Sequence, residues 1–293
     1  MTGPALITGG SGFFGRALAA ELARRGIRFK SLSRADGNLE DPGQARRLVL
    51  KGRPAVIFHL AGLTGSSDPS RLWAAHVGAT LNVLEAALDL PVKPRIVIAG
   101  SAAEYGAPAV RAPVKEDEEA RPLSPYGASK LSQTLAALSF VHRGLEVAVA
   151  RVFNASGPGA PSHLVPGAFA SQIAAAERGA AGSEIRVGNL EPRRDFVDVR
   201  DIASALVALG GRRVPSGIYN VCSGAPVAIG EVLDQLLALA SVPLKARPAA
   251  GRRRGGPSSI AGSRAKLARA AGWTPRIGLR RSLRDTLAWH RRP

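Results

Sequence analysis

A glycine-rich turn follows directly on the first apolar segment of the chain and constrains the fold more than any other feature. Residues 4–8 read Pro-Ala-Leu-Ile-Thr, which predicts a short buried strand. Three glycines then recur at intervals of three: Gly9, Gly12 and Gly15. Leu18 and Leu22 continue at helical spacing, and Gly26 predicts the end of that helix. Glycines in this arrangement allow a tight turn and an anion at the helix N-terminus, which is typical of sites for the pyrophosphate of a dinucleotide.

Apolar strands and helical segments alternate along the rest of the chain. Further strands are predicted at 27–33, 55–60, 95–99, 147–152 and 218–221, and helices at about 72–89 and 126–143. Little helical pattern separates the second strand from the third, so we expect the second helix to be abbreviated. Strand and helix in repeated succession predict an α/β fold with a doubly wound parallel Rossmann sheet.

The second half of the chain, in which glycine and proline turns alternate with short helices, predicts a smaller C-terminal substrate-binding lobe. We predict that residues 1–154 and about 193–225 form the dinucleotide-binding domain, with the second of these segments returning to the main sheet. Residues 155–192 and 226–293 then form the lobe, which would close over a ligand at the edge of the sheet.

The net charge of +18 raises the question of nucleic-acid binding, because clustered Lys and Arg release counterions from phosphates. Arginines are spread along the whole chain and are dense only at 252–254, with no zinc spacing or aromatic RNA motif. We therefore expect no nucleic-acid partner and no metal site.

The single cysteine, Cys222, has no intrachain partner for a disulfide. No apolar run reaches the roughly 18 to 20 residues that cross a bilayer, and the N-terminus does not read as a secretory signal. We expect a soluble, cytoplasmic protein without a membrane partner.

The end of the second predicted strand bears on cofactor choice. Enzymes that use NAD normally carry an acidic residue there, which binds the adenosine ribose 2′-hydroxyl. This chain has Ser33 and Arg34. Because a hydroxyl and a guanidinium can hold a 2′-phosphate that an acid would repel, NADP(H) is favoured over NAD(H). The alternative is that Arg34 is a solvated loop charge.

Tyr126 and Lys130 lie four residues apart in a predicted helix and therefore on one face of it. An ammonium beneath a phenol lowers the phenol's pKa from about 10, which makes tyrosine usable as an acid or base near neutrality. Such pairs also occur on ordinary helix surfaces. Ser101, however, follows the fourth strand at the edge of the sheet where ligands bind in this fold, and its hydroxyl can donate to a substrate carbonyl. The three side chains together predict an oxidoreductase site.

With these motifs, nearly the whole chain resembles the extended short-chain dehydrogenases/reductases, the NAD-dependent epimerase/dehydratase family, whose members act largely on nucleotide sugars. Residues 8–15 resemble the family's dinucleotide loop, and residues 59–62 resemble the segment beside the adenosine and the nicotinamide ribose. Asn38-Leu39 resembles the Asp-Leu pair that holds adenine, with Asn for Asp. The resemblance implies a catalytic triad of Ser101, Tyr126 and Lys130. It implies cofactor contacts by Gly9, Gly12, Phe13, Phe14, Gly15, Ser33, Arg34, Asn38, Leu39, Leu60, Ala61, Gly62, Tyr126, Lys130 and Phe153.

Two later stretches, 151–159 and 188–201, are most similar to the branch of this family that reduces GDP-4-keto-6-deoxy-mannose. That similarity implies substrate contacts by Thr64, Ser101, Ala102, Asn154, Arg194 and Arg254. Arg194 and Arg254 would clamp the substrate diphosphate, because a planar guanidinium matches phosphate oxygens. The alternative for Arg194 is an ion pair with Asp195 or Asp198.

The chain departs from the family pattern at two places. His76 stands where the family has an asparagine that anchors a water of the proton relay; it is either a polar substitute in that relay or a histidine without chemical duty. Ala102 and Ala103 stand where the sugar 4,6-dehydratases carry an acidic pair. The missing carboxylates argue against dehydration, which needs a general acid and base.

The resemblance thus implies an NADPH-dependent reductase of a nucleotide-linked 4-keto-6-deoxy sugar. Ser101 would hold the carbonyl oxygen, Tyr126 would supply the proton, and Lys130 would lower the tyrosine pKa and contact the nicotinamide ribose. One alternative is a nucleotide-sugar 4-epimerase that retains NAD, and another is a non-catalytic dinucleotide-binding or RNA-binding relative. The resemblance also implies a homodimer, formed through the helices near 72–89 and 126–143.

Overall fold

The computed structural model describes residues 3–66, 68–108, 113–179, 182, 184–248 and 259–292. In these ranges the strands are β1 (Ala5–Thr8), β2 (Phe29–Leu32), β3 (Val56–His59), β4 (Arg95–Ser101), β5 (Glu146–Val152), β6 (Asn154–Ser156), β7 (Glu184–Val187), β8 (Arg193–Asp198), β9 (Gly217–Val221), β10 (Pro226–Ala228), β11 (Lys245–Pro248) and β12 (Ser259–Ile260). The α-helices are α1 (Phe13–Arg24), α2 (Pro42–Gly52), α3 (Pro69–Trp73), α4 (Ala79–Leu88), α5 (Pro125–Ser139), α6 (Val165–Glu177), α7 (Val199–Leu209), α8 (Ile229–Leu237), α9 (Ala265–Ala271) and α10 (Leu279–His290). None of these helices is long and apolar enough to span a membrane.

Six parallel strands form the central sheet in the order β2-β1-β3-β4-β5-β9, which confirms the predicted fold class. The chain leaves β1 towards β2 on one side and returns to β3 on the other. The point of reversal therefore lies between the carboxyl ends of β1 and β3, where open α/β sheets bind their ligands.

Both faces of the sheet are covered, because successive strand residues point to opposite sides. On one face Ile7 and Phe58 pack with apolar residues of α1 and α7. On the other face Leu6 and Ile57 pack with residues of α2, α4 and α5. Near-continuous apolar strands buried on both sides are what a parallel sheet requires.

The expectation of an abbreviated second helix is wrong. Helix α2 has 11 residues, and it begins where the side chain of Asp41 accepts a hydrogen bond from Gln44 N at 2.8 Å. Its buried positions are Ala45, Leu48 and Val49. Because all but one of the other positions hold proline, glycine, glutamine, arginine or lysine, the narrow apolar stripe did not stand out in the sequence.

The predicted helix at 72–89 is composite. A π-helical turn, Ala74–Gly78, joins α3 to α4 and contains His76. Turns of this kind are rare and frequently lie at functional sites. Helix α5 and the 3-10 turn after it, Phe140–Arg143, match the prediction of a helix at 126–143.

The segment 193–225 returns to the central sheet only in part. Strand β9 lies in that sheet, but β8 forms a second sheet with β10, β12 and β6. A buried carboxylate, Asp195, ties this second sheet together by accepting the N–H groups of Ser223, Gly224 and Gly262. A third apolar cluster joins α6, α8 and α10 in the region of the predicted lobe. The exact division into domains stays a prediction.

Candidate active site

A cavity of about 540 Å³ opens at the carboxyl edge of the central sheet. The glycine turn lies at one end, Ser101 and Tyr126 form part of its wall, and Arg194 also lines it. The structure thus gathers many of the predicted site residues around one space: Gly9, Gly12, Phe13, Phe14, Gly15, Leu60, Gly62, Thr64, Ser101, Ala102, Tyr126, Phe153, Asn154 and Arg194. The arrangement has room for a reactive group between a dinucleotide and a second ligand.

A second groove of about 270 Å³ continues from this cavity, and the two share Gly9, Gly12, Leu60 and Gly62. Its walls hold the remaining residues predicted to bind the adenosine half of the cofactor: Ser33, Arg34, Asn38, Leu39 and Ala61. The groove and the cavity together trace the path that an extended dinucleotide needs across the switch point of the sheet.

The glycine turn has the backbone that the sequence pattern predicts. Gly9 has φ +69°, and a Cβ there would lie 2.7 Å from Ala61 N. A Cβ on Gly15 would lie 2.3 Å from Gly9 O, so helix α1 packs directly on the turn. Gly12 is the N-cap of α1 and supplies no side-chain cap, which leaves the first N–H groups of the helix open to an anion.

Tyr126 reaches Ser101 because α5 begins beside the end of β4. Ser124 caps the helix by accepting Gly127 N at 3.1 Å, which places Tyr126 in the first turn. A Cβ on Gly127 would lie 2.5 Å from Ala103 O, so only glycine permits this close approach. The hydroxyl oxygen of Ser101 accepts Ala103 N at 3.1 Å, and its hydrogen remains available to donate.

The pKa of Tyr126 is raised by burial, which is the largest influence on it. A hydrogen bond from Ser101 lowers this pKa, and the charge of Glu104 raises it. The phenol is therefore protonated at neutral pH and close to the serine hydroxyl. This is the ionisation state of an acid that donates a proton.

Lys130 is buried behind this wall of the cavity. Its Nζ donates to Ala99 O at 2.5 Å and to the side-chain oxygen of Gln133. Burial lowers the pKa of Lys130 to about 8, and Glu104 acts in the opposite direction. The ammonium faces Ala99 and Gln133 here, so its predicted lowering of the Tyr126 pKa is not among the influences on the phenol.

His76 is buried against Tyr126, with the two ring centroids 5.6 Å apart and the rings edge to face. Its Nδ1 lies 2.9 Å from the hydroxyl of Ser129, and its Nε2 lies 3.1 Å from Leu63 N. Burial lowers its pKa to about 4, so the ring is neutral at pH 7. His76 thus connects α5 to the segment after β3. That His76 takes part in a proton relay stays a prediction.

A buried hydrogen-bonded chain, which the sequence did not reveal, runs from Lys130 towards the glycine turn. Gln133 Nε2 donates to Thr80 Oγ1 at 2.7 Å, and the Thr80 hydroxyl donates to the backbone carbonyl one turn earlier. His59 Nε2, 3.0 Å away, must therefore donate to Thr80, and its Nδ1 accepts from Thr8 at 2.8 Å. Because burial lowers the pKa of His59 to about 3, the ring keeps this neutral tautomer.

The far end of the cavity belongs to the second sheet. Asn154 donates to Asp195 O at 3.2 Å, and Arg194 Nη1 donates to Arg193 O at 2.9 Å. Of the two acids considered as partners of Arg194, Asp198 pairs with Arg200 at 2.8 Å, and the Asp195 carboxylate accepts three backbone N–H groups. Arg254, the second predicted clamp, lies outside the described residues.

The region around Ser33 and Arg34 shows two further side chains that the sequence did not single out. Asp36 accepts both the N–H and the hydroxyl of Ser33, at 2.8 and 3.0 Å. Arg71 and Arg34 line a neighbouring cavity of about 560 Å³ together with Asn38. Within the described residues no cluster of His, Cys, Asp or Glu could hold a metal ion.

The switch-point cavity, the glycine turn and the paired hydroxyl and phenol define an α/β enzyme that binds a nicotinamide dinucleotide. The chain belongs to the NAD dependent epimerase/dehydratase family, whose model matches residues 5–222.

Similarity to individual members extends over the full length. The chain is 34% identical to GDP-6-deoxy-D-mannose reductase of Pseudomonas aeruginosa over 303 residues, which cover 100% of this chain and 99% of that protein. The structure of RMD from Pseudomonas aeruginosa complexed with NADPH superposes with a TM-score of 0.91 at 32% identity, covering 99% of each chain. MoeE5 in complex with UDP-glucuronic acid and NAD gives a TM-score of 0.84 at 28% identity, again over 99% of each chain.

Proposed function

We propose that this protein reduces the 4-keto group of a nucleotide-linked 4-keto-6-deoxy sugar, of the GDP-4-keto-6-deoxy-mannose type, with NADPH. The observation that carries the proposal is the position of Ser101 and Tyr126 on the wall of one cavity, between the glycine turn and Arg194. A relative named as a reductase of a GDP-6-deoxy sugar, 34% identical over the whole chain, supports the same substrate class.

Each side chain has a distinct task in this reaction. The Ser101 hydroxyl, whose oxygen already accepts Ala103 N, donates its hydrogen to the carbonyl oxygen of the sugar. Tyr126 transfers its phenolic proton to the same oxygen as that oxygen gains negative charge. When bound, NADPH supplies the hydride that forms the new C–H bond at C4. Lys130 would contact the nicotinamide ribose once its ammonium leaves Ala99 and Gln133, and it would then stabilise the phenolate until a solvent proton replaces the one transferred.

The substrate end of the cavity fits a diphosphate. Asn154 and Arg194 line it, and an arginine on a cavity wall can offer two parallel N–H groups to phosphate oxygens. We include Thr64, Ala102 and Arg254 among the residues that bind the sugar nucleotide. Ala102 and Ala103 carry no carboxylate beside the sugar, so water elimination has no acid-base pair at these positions.

We propose NADP(H) as the preferred cofactor. The hydroxyl of Ser33 donates a hydrogen bond to Asp36, so the exposed Arg34 is the group that meets a 2′-phosphate, with Arg71 across the same cavity.

Replacement of Arg34 by Ala is expected to raise the KM for NADPH about tenfold or more and to leave the KM for NADH unchanged. Steady-state kinetics with both cofactors measure this. Arg47→Ala, on the exposed face of α2, is the control, and an equal effect on both cofactors would contradict the assignment.

The assembly we propose is a homodimer formed through the helical segments 72–89 and 126–143. Two large apolar side chains are exposed there: Trp73 is 40% and Leu135 61% accessible. Burying them against a second copy removes apolar surface from water. Sedimentation velocity is expected to give the mass of two chains, and a monomer at micromolar concentration would contradict the proposal.

An assay of the purified protein with NADPH and a panel of GDP-, dTDP- and UDP-linked 4-keto-6-deoxy sugars tests the proposed reaction. We expect NADPH oxidation with at least one of them, fastest with the GDP sugar. The competing activity is 4-epimerisation with retained NAD. The family description and the structural similarity to MoeE5 in its complex with NAD support that alternative. No oxidation of NADPH, together with interconversion of 4-epimeric nucleotide sugars, would replace our proposal by that one.

A further inference from the structure

Glu104 lies directly beneath the turn that carries Ser101, and its side chain is completely buried. Its carboxylate accepts three hydrogen bonds: from Ser101 N at 2.8 Å, from the Thr134 hydroxyl at 2.9 Å and from Arg151 Nε at 2.7 Å. The sequence pattern pointed to the alanines at 102 and 103, and the acid that follows them was not recognised.

The carboxylate determines where Ser101 stands. Ser101 caps the short 3-10 turn, Ala102–Glu104, through its side chain. The side chain of Glu104 in turn accepts a hydrogen bond from Ser101 N, which completes a reciprocal capping box. A Cβ on Gly100 would lie 2.7 Å from Glu104 Oε1, so the acid also packs against the end of β4. A shift of this carboxylate would therefore move the Ser101 hydroxyl.

The ion pair with Arg151 does not by itself explain why the acidic side chain of Glu104 is buried at this position. Both side chains are almost fully buried, and such pairs add little net stability relative to apolar residues of the same size. One guanidinium nitrogen of Arg151 has no hydrogen-bond partner. The pair is thus imperfect as a purely structural element, and its carboxylate also contacts the active site through Ser101 N.

Glu104 also acts on Lys130 through its charge, which raises the pKa of Lys130 against the effect of burial. Thr134, which binds Glu104, follows Lys130 by one helical turn and so lies on the same face of α5. The titratable groups described around the ammonium are Glu104, His59, His76 and Tyr126, with Arg151 beyond Glu104. Burial keeps both histidines neutral and the phenol protonated. Among these groups, Glu104 supplies the negative charge.

We infer that Glu104 is a positioning residue of the active site, which holds the Ser101 hydroxyl in place and serves as the buried counter-ion that keeps Lys130 protonated. The inference rests on the proposed function in so far as Ser101 and Lys130 act in ketone reduction. The hydrogen bond of Glu104 to Ser101 N and the effect of its charge on Lys130 do not depend on the substrate.

Two variants separate the two tasks. Glu104→Gln keeps the size of the side chain and removes its charge, whereas Glu104→Asp keeps the charge and withdraws it by one methylene from Ser101 N. Thr134→Val is the matched control, because it removes a neutral hydrogen bond from the same carboxylate. Saturating NADPH is present throughout, since a bound ligand stabilises the folded state of each variant.

The titration of Lys130 is followed by NMR of protein with isotope-labelled lysine, assigned with Lys130→Ala. In Glu104→Gln we expect the midpoint to fall by about one pH unit or more, because an opposite charge is lost from a buried site. The upper limb of the pH profile of kcat is expected to move down with it. In Thr134→Val both midpoints are expected to match the wild type.

For Glu104→Asp we expect an unchanged Lys130 midpoint and a kcat reduced on the order of tenfold, since the serine is displaced. If Glu104→Gln does not fold, Glu104→Asp alone tests the inference, and a wild-type kcat in Glu104→Asp would overturn it. A Glu104→Gln protein with a lower Tm but wild-type Lys130 midpoint would also overturn it. The NMR titration needs no sugar substrate, so a wrong substrate assignment is distinguishable from a wrong role of Glu104.

Discussion

Tyr126→Phe is expected to lose ketone reduction by a factor on the order of 10³ and to bind NADPH as the wild type does. The phenolic oxygen is the one group on the cavity wall near Ser101 that the proposed mechanism uses as an acid, and general acid catalysis contributes about 10² to 10⁴ in rate. The ring itself remains, so its edge-to-face packing with His76 is kept. Turnover with the GDP-linked 4-keto sugar and a fluorescence titration with NADPH measure the two effects.

Tyr219→Phe is the matched control for this variant. Its hydroxyl donates to Pro215 O at 2.8 Å and does not line the cavity, so we expect wild-type turnover and a small loss of stability. If Tyr126→Phe keeps more than about a tenth of the activity, a different group donates the proton, and the mechanism proposed here is wrong.

Gly12→Val is expected to weaken NADPH binding by more than about 100-fold, equivalent to ~2.7 kcal/mol, in a protein that still folds. Gly12 has an ordinary φ of −72°, and an added Cβ meets only Gly9 O, at 3.1 Å. The new side chain would project at the N-terminus of α1, which lines both the cavity and the groove. There it would occupy the place of the pyrophosphate. Isothermal titration calorimetry measures the change in Kd, and thermal melting checks the fold.

Gly278→Val offers a close comparison. Gly278 is also the N-cap of a helix, with φ −66°, and an added Cβ meets nothing within 4 Å. It is not among the residues that line either binding space, so wild-type affinity for NADPH is expected. If the Gly12 and Gly278 variants bind NADPH with equal affinity, the glycine turn is not part of the cofactor site.

Local spacing predicted the parts of the fold and site that depend on neighbours in sequence. The glycine intervals predicted the β1–α1 turn, and the alternation of elements predicted the parallel sheet. Features that depend on distant partners were missed. Strand β8 reads like any strand, and only its pairing with β6, β10 and β12 places it outside the central sheet. The length of α2 was missed because few of its positions are apolar.

The buried polar residues of the site were missed for a related reason. His59 ends an apolar strand and Glu104 follows two alanines, so a signal existed in each case: a polar side chain where the neighbours predict burial. Which partners satisfy them depends on Thr8, Thr80 and Arg151, far away in sequence. The direction of the Lys130 ammonium, towards Ala99 and Gln133, likewise follows from packing alone.

The central claim is that hydride moves from NADPH to C4 of the sugar, and isotope transfer tests it most directly. The protein is incubated with GDP-4-keto-6-deoxy-mannose and NADPH that carries deuterium on the transferred position of the nicotinamide. Mass spectrometry and NMR of the product are expected to show one deuterium, at C4. A product without deuterium, or an epimerised sugar formed while the NADPH stays intact, would contradict the account.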